Sequence, residues 1–220
     1  MGPRRPALSA AGRRAGLGAL AAVVVSAAGL AACGAADNGR SGSSSGSPGG
    51  SIPAALVREA RPIGRGARFQ PPARGPVIGP CRRALGPAHG VHVEVFAANR
   101  VVLIPAGIGT KPPRATFEGR ISQARCYGDL VTLEPTGVVL VRSRVTLALA
   151  DLFKSWGQRL SRRRLASFSA ATGQRVAVFV GGRPWHGRPG SVPLRPHAEI
   201  VLEVGPHVPP HSSYTFPPGT

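Results

Sequence analysis

The sequence predicts an α+β domain: a two-layer, mainly antiparallel sheet with one principal helix. Three observations carry this. Short β-rich segments alternate apolar and polar residues and are separated by turn residues. A single stretch, TLALADLFKSWG, changes to a helical period. Strand-like alternation then resumes in VAVFV and AEIVLEV.

Taken in order, Val91–Phe96 (VHVEVF) places Val91, Val93 and Val95 on one side and His92, Glu94 and Phe96 on the other. Val101–Ile104 (VVLI) follows after Ala97-Ala98-Asn99-Arg100, which reads as a hairpin around an Asn-containing turn. Leu130–Leu133 and Val138–Val141 repeat the device around Glu134-Pro135-Thr136-Gly137, with Pro and Gly where a type I turn favours them. Thr146 can cap a helix whose Leu149, Leu152, Phe153 and Trp156 form one apolar stripe, and Gly157 is a natural stop. Phe153 and Trp156 are read as core packing against the sheet. Val176–Val180 leads into Gly181-Gly182, a pair suited to a tight hairpin turn. In Ala198–Val204, Ile200, Leu202 and Val204 point inward, while Glu199 and Glu203 point outward.

The front of the chain gives an address. Arg4, Arg5, Arg13 and Arg14 precede an uncharged run from Ala15 to Ala32, the layout of an export signal. That run ends in Leu30-Ala31-Ala32-Cys33, which resembles a bacterial lipobox: a branched apolar residue, two small ones, then a thiol to receive lipid. Residues 1–32 are thus expected to be a signal peptide, with Cys33 as the lipidated amino terminus. Residues 33–52 form a Gly/Ser-rich tether. A Pro/Arg-rich extended segment occupies 53–80, the globular domain 81–204, and a Pro-rich strap 205–220. The expected location is the extracytoplasmic face of the cell membrane, held by lipid.

Composition narrows the partners. The formal charge is +19, carried by 28 Lys and Arg, all but Lys111 and Lys154 being Arg. An exported chain rarely meets nucleic acid, so no nucleic acid is expected. Anionic envelope polymers, an envelope protein and the membrane itself are the expected neighbours. The densest cluster, Arg162-Arg163-Arg164, reads as a solvated loop after the helix. With Cys33 on lipid, Cys81 and Cys126 remain as a pair in an oxidising compartment and are expected to form a disulfide. Two thiols alone make a poor metal site.

Two resemblances add expectations. VTLALADLFKSWG, VAVFVGGRPW and PLRPHAEIVLEV resemble the helix, hairpin and last strand of β-grasp (ubiquitin-like) sulfur carriers. Those carriers act through a free Gly-Gly terminus, whereas this chain runs on through GPHVPPHSSYTFPPGT, so the resemblance implies fold and not carrier chemistry. HGVHVEVF, VVLIPAGIG, EPTGVVLV, LADLFKSWGQRL, VAVFVGGRPW and HAEIVLEVG…YTFPPG also resemble an uncharacterised actinobacterial family of secreted or lipid-anchored proteins. Chains of that pattern carry further histidines in the first strand and before the EPTG-like turn; CYGDLVTLEPTG has none.

The expected globular domain contains no GxSxG, HExxH, CxxC or phosphate-binding Gly loop; the GxSxG match at Gly42–Gly46 falls in the low-complexity Gly/Ser tether, without the strand and helix a nucleophile elbow needs, and the chain has only 9 acids in all. No catalytic residue and no cofactor is expected. The leading reading is a non-enzymatic binding or scaffolding module. The alternative is a Cu or Zn binder using His89, His92, His207 and His211, since imidazole suits both ions. His89 and His92 converge only if His89 precedes the strand, because strand residues three apart face opposite ways. The tail is expected to lie as an extended strap over the domain's own sheet.

Overall fold

The structure, a computed structural model, describes residues 60–220. The expected signal peptide, Cys33, the expected tether and the first part of the Pro/Arg-rich segment lie outside the described residues. Among the described residues, no helix is long and apolar enough to cross a membrane.

The domain is mostly sheet, with a single α-helix among the described residues. Its principal sheet contains β1 (Ala88–Ala97), β2 (Arg100–Val101), β5 (Leu130–Val131), β6 (Val138–Arg142), β10 (Ala177–Val180), β11 (Arg183–Pro184) and β12 (Glu199–Val204). The order is β11-β10-β12-β1-β6-β5, with β2 also on β1. β1 and β12 run parallel at the centre and the other pairs are antiparallel, so the sheet is mixed. A hairpin of β3 (Thr110–Phe117) and β4 (Arg120–Tyr127), and a meander of β7 (Leu160–Ser161), β8 (Arg164–Leu165) and β9 (Phe168–Ser169), stand apart from it.

Local chemistry explains the turns. Ala98 and Asn99 both take left-handed backbone between β1 and β2, as Gly181 and Gly182 do between β10 and β11. Consecutive positive φ values match the twist of a two-residue hairpin. The meander replaces the loop expected at Arg162–Arg164. Arg162 and Arg163 form its first turn, and Arg164 lies on β8 paired with Ser169. β3 escapes the sequence reading because Pro112-Pro113 interrupts it, although Glu118-Gly119 was a usable turn signal.

The helix α1 (Leu149–Trp156) buries Leu149, Leu152, Phe153 and Trp156 against Val91, Val93, Val95, Val139, Val141, Ile200 and Leu202 of the sheet. Gly157 ends it in left-handed conformation, φ 79°. Its cap is Ala148 rather than Thr146. The Asp151 carboxylate accepts the Ala148 N–H at 2.9 Å. Leu147 is held extended because its carbonyl accepts the Leu194 N–H, which delays the helix start.

Residues 60–80 run across this layer. The Trp156 indole N–H donates to the Pro71 carbonyl at 3.1 Å, and Ser155 Oγ donates to the Pro76 carbonyl at 2.9 Å. Phe69, Ala73 and Ile78 pack on the core. Cys81 and Cys126 form the expected disulfide, with Cα atoms 5.4 Å apart. It ties the chain before β1 to β4, where Arg82 and Tyr127 exchange both backbone hydrogen bonds.

Candidate functional site

The sheet face away from α1 carries the polar residues of the central strands. The parallel register sets His92 beside Glu199 and Phe96 beside Glu203. Glu94 lies two residues beyond His92 and so on the same face. Both Glu199 and Glu203 are buried, at 3 % and 5 % exposure, against the outward placement expected from alternation. The alternation is real; what it cannot register is a second cover. Residues 205–220 lie across this face and take it out of water.

Three donors converge there. His92, Glu94 and Glu199 each offer one ligand atom, and these atoms all lie within 4.8 Å of one another. His92 Nδ1 is 2.7 Å from Glu199 Oε2. His92 Nε2 is 3.1 Å from the Thr136 carbonyl, which can only accept, so Nε2 donates there and Nδ1 is the ring nitrogen turned toward the carboxylates. A histidine whose other nitrogen is fixed by a backbone carbonyl has the orientation typical of a metal ligand. The carbonyl arrives on the β5–β6 turn. There Gly137 has φ 84°, and a Cβ on it would lie 2.6 Å from the Val93 carbonyl and 3.1 Å from His92 Nε2. Glycine is what lets this turn close on the ring.

The electrostatics leave a deficit. Burial pushes the Glu199 carboxyl above its ordinary range, opposed by the hydrogen bond and charge of His92. Glu94 adds to the rise and His211 lessens it. Glu199 Oε1 is buried with no hydrogen-bond partner. Two carboxylates near one another on a covered face, one with an unsatisfied oxygen, form a pocket of negative charge suited to a cation.

The four histidines considered from sequence divide. His92 is in the cluster, and His211 reaches its edge, with Nδ1 2.7 Å from Glu94 Oε2. His89 falls inside β1, not before it, and so faces the other way, with Nε2 3.1 Å from the Leu194 carbonyl. His207 Nδ1 pairs with Glu203 Oε1 at 2.6 Å, outside the three-residue cluster. His92 and Glu94 are buried and half-buried, and the close partner of His92 is Glu199. Glu94 and Glu199 were not foreseen as ligands. Their signal was the placement of acids on the polar face of two strands, in a chain with few acids. Tyr214 completes the surroundings: its ring stacks on His92 at 3.8 Å and 11°. Burial, then the charges of Glu134 and Glu199, raise its phenol above the ordinary value.

No protein-family model, curated protein or solved structure matches the chain.

Proposed function

We propose that the protein is an exported, lipid-anchored cell-envelope protein whose domain binds a divalent transition metal, Zn(II) or Cu(II), without catalysing a reaction. The observation that carries this reading is the cluster of His92, Glu94 and Glu199, with ligand atoms within 4.8 Å of one another, in which Glu199 also has a buried oxygen without a hydrogen-bond partner. Ligands of a tetrahedral Zn(II) at 2.0–2.2 Å stand about 3.5 Å apart, so small side-chain rotations close the set. Imidazole favours Zn(II) and Cu(II) over Mg(II) or Ca(II).

The fold belongs to the same reading. The order β6-β1-β12-β10-β11, with a central parallel pair and a helix between β6 and β10, supports a β-grasp-like domain. The Cys81–Cys126 disulfide supports an oxidising compartment, and the Leu30–Cys33 sequence supports attachment through lipid. Anionic envelope polymers are the partners that the arginine-rich surface suits.

The test is calorimetric titration of EDTA-treated protein with Zn(II) and Cu(II), with Mn(II) as control. One ion of Zn(II) or Cu(II) per chain is expected, lost in His92→Ala and weakened in Glu94→Gln. Binding that these changes leave intact would overturn the reading, as would no binding by the unaltered protein.

A further inference from the structure

The three donors on the sheet leave a four-coordinate ion one protein ligand short. The next candidate stands on the strap. His211 Nδ1 hydrogen-bonds Glu94 Oε2 at 2.7 Å, so the imidazole touches a carboxylate of the cluster. We infer that His211 is the fourth ligand and that the bound ion latches residues 205–220 onto the sheet. This rests on the metal-binding reading above.

The way the strap is held makes the coupling physical. No backbone–backbone hydrogen bond joins residues 206–220 to the other described residues. Side chains hold the strap instead. Val208 is buried with Phe96 and Val201, and its N–H donates to Glu203 Oε2 at 2.8 Å. His207 meets Glu203, His211 meets Glu94, and Tyr214 stacks on His92. Phe216 lies over Gly90, where an added Cβ would come within 2.7 Å of its ring. A segment fixed by a few side-chain contacts opens at modest cost. Two of those contacts fall on ligands of the cluster, so an ion that draws in His211 adds to the strap's hold. By linkage, a docked strap must tighten ion binding by the same factor.

The strap also forms part of the cluster's cover. Tyr214 covers one face of His92, and the sheet closes the other side of the cluster.

The experiment uses residues 50–220, which include every described residue, and Zn(II) as the probe. Hydrogen exchange of strap peptides is followed by mass spectrometry after EDTA and after zinc, beside zinc titrations. Zinc is expected to slow exchange across 206–220. His211→Ala should keep binding zinc through His92, Glu94 and Glu199, with affinity reduced about tenfold or more, and should lose the zinc-dependent protection. Gly90→Val removes no ligand but displaces Phe216, and should also weaken zinc binding. The inference is overturned if zinc binds and strap exchange is unchanged, or if His211→Ala binds zinc as tightly as the unaltered chain. Absence of zinc binding by the unaltered chain overturns the metal reading and this inference together. Loss of binding in His92→Ala alongside an indifferent strap overturns only the inference.

Discussion

Replacing Glu199 with Gln should make the metal-free protein more stable and the metal-treated protein less responsive. The Gln amide is nearly isosteric, and its N–H can donate to His92 Nδ1, so the 2.7 Å contact survives without the charge. What disappears is a carboxylate that burial penalises and whose Oε1 has no partner. Because the folded carboxyl is raised above its ordinary value of 4.5, it is protonated both folded and unfolded at lower pH, and the two proteins agree there. As pH rises through the raised folded value, the original chain takes on the full cost of the buried charge. Glu199→Gln should therefore melt higher in EDTA at pH 8 and no higher at pH 4.

Zinc reverses the ranking. At 100 times the dissociation constant, a bound ion stabilises by about 2.7 kcal/mol. For roughly 160 described residues the unfolding entropy is about 0.34 kcal/mol/K, so the melting temperature should rise about 8 °C. A hundredfold loss of affinity in Glu199→Gln leaves about 0.4 kcal/mol, near 1 °C, at the same zinc concentration. Calorimetric melting at both pH values, with EDTA and with zinc, decides the matter. A variant that melts lower than the original chain in EDTA at pH 8, or that keeps the full zinc shift, would refute the argument.

Further outcomes follow from the same geometry. Changing both Cys81 and Cys126 to Ser opens a loop spanning 45 residues of sequence and should cost about 4 kcal/mol in urea unfolding; an unchanged midpoint would show that the bridge constrains little. Gly137→Ala forces a Cβ against the Val93 carbonyl and the His92 ring, at a backbone angle that only glycine adopts freely. It should lower stability by at least about 1 kcal/mol and weaken zinc binding, measured by melting and titration. Cys33→Ser should abolish the acylated species in intact-mass analysis and release the chain from membranes; a mature protein that still begins at Met1 would contradict lipid attachment.

Much of the fold is legible locally. The helix stripe at Leu149, Leu152, Phe153 and Trp156 and the alternation of Val91, Val93 and Val95 both reappear as core. The turns at Ala98-Asn99 and Gly181-Gly182 follow from residues that tolerate positive φ. The β3–β4 hairpin and the arginine-bearing meander were less legible, because two prolines mask one and two-residue strands leave the other no periodicity. The candidate site was legible only in part. His92 and His211 stood out as histidines, but nothing near either one in the chain marks the acid it would meet.

The sequence alone determined which segments alternate, where the helix stops at Gly157 and where the Ala98-Asn99 and Gly181-Gly182 turns fall, because each depends on neighbours a few residues away. It also carried the Cys81 and Cys126 pairing, through arithmetic on three thiols and the expectation of an export signal. Only the tertiary structure decided which polar residues meet. His92 and Glu199 are 107 positions apart and come together because β1 and β12 pair in parallel at the centre of the sheet. Glu94 and His211 are 117 positions apart and meet because the strap returns over that face. Alternation assigns a residue to a face; whether that face sees water depends on what the rest of the chain lays over it.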